Sequence, residues 1–340
     1  MRPVSTGKRV TLQPRDWLWL QKLHEHGPLT SSMLHAFSAD ICRSEKRARD
    51  RLTDLFNEDR TPHGGPYLSR PRQQFETIDA RYKELVYDLA PAGERALRGE
   101  GLWQERAGSA SGPWKHRHMV ASITAAIELA TLPRDDVAFI PQHEILNRAN
   151  AALRYPVPFR NPKTSKIETR DLNPDALFGI EYRQGCEKSY RFYVVEADRG
   201  TEPTRASQFN RKSHLRTFLQ YREYVGRGLY KKHLDLTAGL IVLNIVAYDR
   251  TMAAMLNLMD EIYPRGCSYQ WFSAFYATQL DRSAAGYSGN VDQSWIRARQ
   301  SAANLFTTGS YARGWCFSAI PARKHRQPRA GSYLRRKSPA

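Results

Sequence analysis

The apolar positions of the first hundred residues fall into short helical patterns broken by turn residues. In 15–27 (RDWLWLQKLHEHG), Trp17, Leu20 and Leu23 share one helical face, and Gly27-Pro28 ends the helix. Thr30 is placed to cap a second short helix carrying Met33, Leu34 and Phe37. From Ser44, the segment SEKRARDRLTDLFNE sets Ala48, Leu52, Leu55 and Phe56 on one face, with Lys46, Arg47, Arg49 and Arg51 largely on the others. Two β-like segments follow, at Tyr67-Leu68 and Leu85–Leu89, with a polar, basic stretch between them that includes Arg70 and Arg72. The order helix, helix, basic helix, strand, wing, strand predicts a winged helix-turn-helix whose third helix enters a DNA major groove. The competing reading of that helix pairs its arginines with Glu45, Asp50 and Asp54 along its own surface.

A helix over Pro91–Arg98 closes this unit, and the Gly- and Ser-containing stretch 99–113 reads as a linker. Beyond it the period changes. An apolar helix is predicted over His118–Leu132, then a β-like run Val137–Ile145 and a proline-punctuated edge strand or loop over Tyr155–Asn161. Asp175–Arg183 and Tyr190–Asp198, separated by QGCEKS, read as a hairpin. A long amphipathic helix from about Ala206 to Tyr224, a strand Leu240–Tyr248, a helix Met252–Ile262 and a strand Tyr269–Tyr276 complete the series. This predicts an α/β (α+β) chain with residues 1–110 as the winged helix and linker, 111–285 as an αβββαβ domain with its sheet covered on both faces, and 286–340 as a basic extension.

Charge sharpens the picture. Among 340 residues, 52 are Lys or Arg and 34 are Asp or Glu, a net charge of +18 that suits a polyanionic partner, duplex DNA or single strands. After Asp292 there is no acid, while Arg323, Lys324 and Arg326 belong to a run of ten cations fitted either to phosphate contact without sequence readout or to a solubilising tail. The longest apolar run, Ala238–Ala247, is half a membrane span, and the N-terminus has no apolar leader, so a cytoplasmic location without membrane contact is expected. Four scattered cysteines read as free thiols.

The candidate chemistry lies on the hairpin. Asp175 opens its first strand and Glu196-Ala197-Asp198 closes its second, so antiparallel pairing brings three carboxylates to one end of the sheet, with Glu196 and Asp198 on one face. A hard divalent cation, Mg²⁺ or Mn²⁺, is the simplest compensation for such a cluster, and it would activate water at a phosphodiester. The alternative is solvated acids paired with Arg191, Arg199 or Arg205. His118 is either a contact to phosphate or metal or a helix cap, and Lys212 either a phosphate-facing cation or a solvated lysine. Tyr190, Tyr193, Tyr221 and Tyr224 fit a nucleophile and a core equally well.

With NPDALF at 173–178, YVVEADRGTE at 193–202 and RKSHLRTFLQYREY at 211–224, the chain resembles the plasmid replication-relaxation family, which includes the C class of mobilisation relaxases. The resemblance runs over roughly residues 15–280, and the E-x-D-R-G-T-E block is its most specific element. It implies a restriction-endonuclease-like domain of the PD-(D/E)xK type beside the winged helix, acting as a relaxase or nickase on plasmid or mobile-element DNA with other relaxosome or replication proteins. By position, Pro174-Asp175 is the PD element and Glu196 the second acid. Asp198 stands where that pattern has lysine, and Lys212 is the candidate to supply the cation from the following helix. The rival reading is a DNA-binding replication or transcription regulator that cuts nothing.

Overall fold

The computed structural model describes residues 2–76, 83–108, 111–209, 211–274, 295–297 and 300–303. The chain is of mixed α/β class. Its first part runs α1 (Pro14–His26), β1 (Leu29–Thr30), α2 (Ser31–Phe37), α3 (Glu45–Asn57), β2 (Leu68–Ser69), β3 (Val86–Leu89) and α4 (Pro91–Gly99). The starts of these helices are chemical. Pro14 sits in the first turn of α1, the Thr30 side chain accepts from Met33 N to cap α2, and the Ser44 side chain accepts from Arg47 N to cap α3. The strands pair antiparallel in the order β1-β3-β2. Trp19, Leu20, Leu23, Leu34, Leu52, Leu55 and Phe56 fill the core beneath them.

The second part begins with α5 (Trp114–Thr131), four residues before the expected start because Trp114 to Arg117 continue the helix from Pro113. Then come β4 (Val137–Ile140), α6 (Gln142–Ala149), β5 (Tyr155–Arg160), β6 (Ile167–Leu172), β7 (Ala176–Gln184), β8 (Glu187–Asp198), α7 (His214–Tyr224), α8 (Leu229–Leu234), β9 (Leu240–Val246), α9 (Asp249–Ile262) and β10 (Gln270–Ala274). Strands β11 (Trp295–Arg297) and β12 (Gln300–Ala303) extend the same sheet, whose order is β12-β11-β10-β9-β8-β7-β4. The expected order α, β, β, β, α, β runs through α5, β4, β7, β8, α7 and β9, with α6, the β5–β6 ribbon and α8 inserted. The predicted run Val137–Ile145 is corrected: the strand ends before Pro141, which occupies the position preceding the first residue of α6. The helix expected from Ala206 starts at His214, capped by the Ser213 side chain, and the apolar pattern predicts neither α8 nor β6.

Both faces of the large sheet are covered. Phe178, Ile180, Tyr193, Val195, Leu243 and Ile245 face α5, which meets them with Met119, Val120, Ile123 and Ile127. The alternate residues Leu177, Val194 and Val242 face Tyr221 and Tyr224 of α7 and Leu234 of α8, while Met255, Leu258 and Met259 of α9 pack on Val246 and Phe272. Helix α5 serves two cores, because its other side, with Ala121, Ala125, Ala126 and Leu129, belongs to the N-terminal cluster. Small residues there let α1 and α2 approach closely. No helix among the described residues is long and apolar enough to cross a membrane.

The contact between α1 and α5 is ionic as well as apolar. Lys22 Nζ lies 2.6 Å from Glu128 Oε1 and 2.7 Å from Glu25 Oε2, and His26 Nε2 lies 2.7 Å from Glu128 Oε2. Burial opposes the Glu128 charge, but His26 and Lys22 outweigh it and hold the carboxyl down at about 2. The stabilisation is therefore complete above the ordinary carboxylate value of 4.5 and is lost as pH falls from there toward 2. Glu128→Gln should cost about 3 kcal/mol at neutral pH, the lower end for breaking a buried pair. Urea unfolding as a function of pH checks this: the wild-type advantage should shrink on acidification through that window, and a constant difference would contradict it.

Candidate functional site

Hairpin register fixes the acidic site. Along β7 and β8, Ala176 pairs with Val195 and Leu177 with Val194, so Asp175 comes opposite the segment after Val195. Asp175 N donates to Val195 O at 2.9 Å, and Asp175 Oδ2 accepts from Ala197 N at 2.8 Å. The ladder thus continues one residue further through a side chain. Asp175 Oδ1 lies 3.0 Å from His116 Nε2, in the first turn of α5. That bond, against the opposing effect of burial, raises the His116 pKa above the ordinary histidine value.

Glu196 is the more constrained acid. Its side chain is 11% exposed, Oε1 accepts from Tyr221 O–H at 2.5 Å, and Oε2 lies 4.0 Å from Lys212 Nζ. Burial first and the Asp175 charge second push its pKa up to about 8, although Lys212 and Tyr221 act in the other direction. Lys212 also sits 2.6 Å from Glu202 Oε1. Burial works against the Lys212 charge, but Glu196 and Glu202 prevail and raise its pKa. These groups line an open pocket of about 420 Å³, walled further by Arg199, Arg216 and the segment Asp171-Leu172-Asn173.

Asp198 requires a correction. It shares the α7 face of β8 with Glu196, as alternation predicts, but it is 6% exposed and does not line the pocket. Its Oδ1 accepts from the backbone N–H groups of Gly200, Thr201 and Glu202 at 2.8–3.3 Å, and its Oδ2 lies 3.1 Å from His214 Nε2. Burial notwithstanding, these partners hold its pKa below the ordinary aspartate value. Gly200, at φ +80°, makes the turn that delivers those N–H groups, and a Cβ there would come within 2.8 Å of the Tyr248 ring. Besides Asp175 and Glu196, the pocket carboxylates are Glu202, the last residue of the E-x-D-R-G-T-E block, and Asp171 at the end of β6.

His118 is also corrected. Its Nδ1 lies 2.9 Å from Pro28 O and its ring stacks on Trp114, which ties α5 to the turn after α1; the histidine at the pocket is His116. The two alternate along KHRH, and only the helix start at Trp114 separates their directions. The tyrosines are accounted for as well. Tyr193 is fully buried against Tyr182, Tyr221 is buried on Glu196, and Tyr224 is buried with its hydroxyl 2.7 Å from His233 Nδ1; burial raises the pKa of all three. Tyr190 is exposed and bonded to Glu181, six residues along β8 from Glu196, roughly 20 Å at strand rise. Arg205 pairs with Glu261 rather than with a site acid.

The donor set suits a hard cation at Asp175 and Glu196, two carboxylates that retain lone pairs and face an open pocket. Burial and the Asp175 charge disfavour ionisation of Glu196 more than Lys212 and Tyr221 favour it, and a bound cation would shift that balance toward the carboxylate. Among the described residues, the trio whose ligand atoms lie within 4.8 Å of one another is Glu25, His26 and Glu128, not Asp175, Glu196 and Asp198. Lys22 already compensates that trio.

The basic residues of the first part divide in two. Arg51 is structural: its guanidinium binds Asp16 with contacts down to 2.6 Å, and its Nη2 donates to Thr11 O, while Asp16 is 0% exposed. Arg70 is buried, donates to Thr53 Oγ1 and Tyr87 O–H, and lies 4.2 Å from the Phe56 ring centroid. Neither is presented to a ligand. Lys46, Arg47, Arg49 and Arg72 are exposed, with Lys46 and Arg49 in i,i+4 pairs to Asp50 and Glu45. Arg323, Lys324 and Arg326 lie outside the described residues.

A mixed α/β chain with paired carboxylates at the end of a hairpin and a lysine from the approach to the next helix is thus the class that fold and site define. A sequence model of the replication-relaxation family matches residues 20–240, about two thirds of the chain, and the chain belongs to that family. Membership suggests a role in plasmid or mobile-element replication or mobilisation. No curated protein and no solved structure matches.

Ionising Glu196 in the folded, metal-free protein is unfavourable: the penalty is absent below the unfolded value near 4.5 and grows as pH rises to about 8. Glu196→Gln should therefore stabilise the metal-free protein at alkaline pH, by on the order of a few kcal/mol, with the gain fading toward the ordinary carboxylate range. Denaturant unfolding in EDTA tests this, and a gain independent of pH would refute the assignment.

Proposed function

We propose that the chain is a metal-dependent DNA-processing protein of relaxase or nickase type, in which a winged helix locates DNA and a restriction-endonuclease-like sheet presents the reacting site. The observation that carries this reading is the convergence of Asp175, Glu196, Lys212 and His116 on one pocket. Helix α3 caps, packs and exposes Arg47 and Arg49 as a groove-reading helix would, and β2–β3 take the place of the wing. Asp175 and Glu196 would hold Mg²⁺ or Mn²⁺. When bound, such a cation neutralises phosphate charge and lowers the pKa of water. Tyr221 and the Ala197 N–H fix the two carboxylates, His116 orients Asp175, and Lys212 offsets negative charge developing at the phosphate.

A second reading has a specific observation behind it. Asp198 stands at the position where the related nuclease pattern has lysine, and its oxygens are engaged by the 200–202 turn and His214. That leaves two site carboxylates and a lysine shared with Glu202, an arrangement suited to binding DNA without cutting it. Calorimetry with Mn²⁺, run beside nicking of supercoiled DNA carrying the neighbouring plasmid or element sequence, separates the two. For the enzyme, Asp175→Asn and Glu196→Gln should weaken Mn²⁺ binding and lower nicking about a hundredfold or more. Lys212→Ala should lower nicking comparably while sparing metal affinity. Absence of Mn²⁺ binding at millimolar concentration, or variants that nick like the parent, would leave the binding module as the account.

The DNA-binding half makes its own prediction. Arg47→Ala with Arg49→Ala should weaken duplex binding and flatten the plot of log affinity against log salt by about 2, near 0.9 for each phosphate that is no longer neutralised. Arg51→Ala should act instead through stability, because it strands buried Asp16. Fluorescence anisotropy at several salt concentrations, paired with thermal melts, distinguishes the two effects. An unchanged salt slope in the double variant would remove α3 from the interface.

A further inference from the structure

The β5–β6 ribbon has a composition unusual for a structural hairpin. Residues 154–172 carry five Lys or Arg against two acids. Its inner face is anchored: Val157, Phe159 and Leu172 are buried, and Phe159 packs with Phe209 and with Leu219 of α7. The outer face holds nothing down. Ile167 is 71% exposed, the most exposed large hydrophobic side chain among the described residues. It pairs across the ribbon with exposed Arg160 and follows exposed Lys166.

The tip is built to be rigid. Asn161 is buried, its Nδ2 donates to Glu168 Oε1 at 2.6 Å, and its Oδ1 accepts from Lys163 N at 2.9 Å. Backbone bonds between Asn161 and Lys166 and between Asn161 and Ser165 close the turn, and Lys163 Nζ donates to Ser207 O. Pro156, Pro158 and Pro162 restrict the chain further. A rigid hairpin costs little entropy on binding, so an exposed isoleucine between two cations at its tip is a preformed contact rather than a loose loop.

Position supplies the purpose. The ribbon ends at Leu172, and Asp171-Leu172-Asn173 form one wall of the acidic pocket. From there β6 runs five residues to Ile167, roughly 17 Å at strand rise. The acids it borders are recessed, with side chains of Asp175 and Glu196 only 13% and 11% exposed. A phosphodiester in an intact duplex is poorly placed to enter such a recess, whereas a strand drawn away from its complement can.

We propose that the β5–β6 ribbon is a second DNA-binding element: Arg160 and Lys166 hold the phosphate backbone of duplex DNA, and Ile167 wedges into a base step and unstacks it at the tip of the ribbon whose other end walls the pocket. Apolar wedges flanked by cations are a general means of kinking and opening duplexes. The proposal rests on the DNA-processing reading of the same pocket, but it is tested without metal and without cleavage.

The probe is a short mixed-sequence duplex containing TA steps, which unstack most readily, with 2-aminopurine at those steps. Full-length protein is titrated into it in EDTA. Wild type should raise the 2-aminopurine fluorescence. Ile167→Ala should reduce that rise by about half or more while changing affinity by less than about threefold, since the wedge affects DNA shape more than backbone attraction. The double variant Arg160→Ala, Lys166→Ala should lose affinity and reduce the salt slope by about 2. All three side chains are exposed, so thermal melts should be unchanged. The proposal fails if wild type leaves the fluorescence flat, if Ile167→Ala raises it as fully as wild type, or if the double variant binds with wild-type affinity and salt slope. A wild type that unstacks the probe but never nicks supercoiled DNA would keep the ribbon and overturn only the catalytic reading.

Discussion

Burial of Glu196 beside Asp175 is the constraint around which the second half of the chain is arranged. Two carboxylates in one recess repel each other and lose water to burial, and the donors around them offset only part of that cost. The β7–β8 register supplies Ala197 N–H to Asp175, α7 supplies the Tyr221 hydroxyl to Glu196, the approach to α7 supplies Lys212, and the first turn of α5 supplies His116. Each donor comes from a different element. A one-residue slip of the hairpin would send Glu196 to the α5 face among Val195 and Ile245, so the buried apolar alternation of β8 and the geometry of the site enforce the same pairing.

Much of this is legible from residue order because local chemistry carries it. Thr30 caps α2 as expected, and Ser44, where the third helical pattern begins, caps α3; the β-branched and aromatic runs either side of Gly185 form the hairpin; and Asp175, Glu196 and Lys212 line one pocket. What escapes is whatever depends on a partner distant in sequence. Arg51 and Arg70 look like their exposed neighbours in a linear reading, and only the approach of α1 and β3 reveals that Asp16 and Tyr87 claim them. Asp198 has the right spacing, but the turn made possible by Gly200 wraps three N–H groups around it and hands the pocket to Glu202. The strand β6 (IETRDL) lacks an apolar period because all but Leu172 of it avoids full burial, so period-two counting passes over it.

Helix α5 explains why the two halves cannot be treated as independent modules. Its sequence is apolar nearly all round, which a linear reading takes as a buried helix without saying against what. One face closes the sheet core and the other closes the N-terminal core, and Lys22, His26 and Glu128 bind the seam with charges that are costly to separate. The same helix carries His116 to Asp175 at its first turn and His118 to Pro28 one step on. Residues 116 and 118 thus set the start of α5 against both the acidic pocket and the turn leading into α2, so the position of His116 beside Asp175 is fixed from two sides.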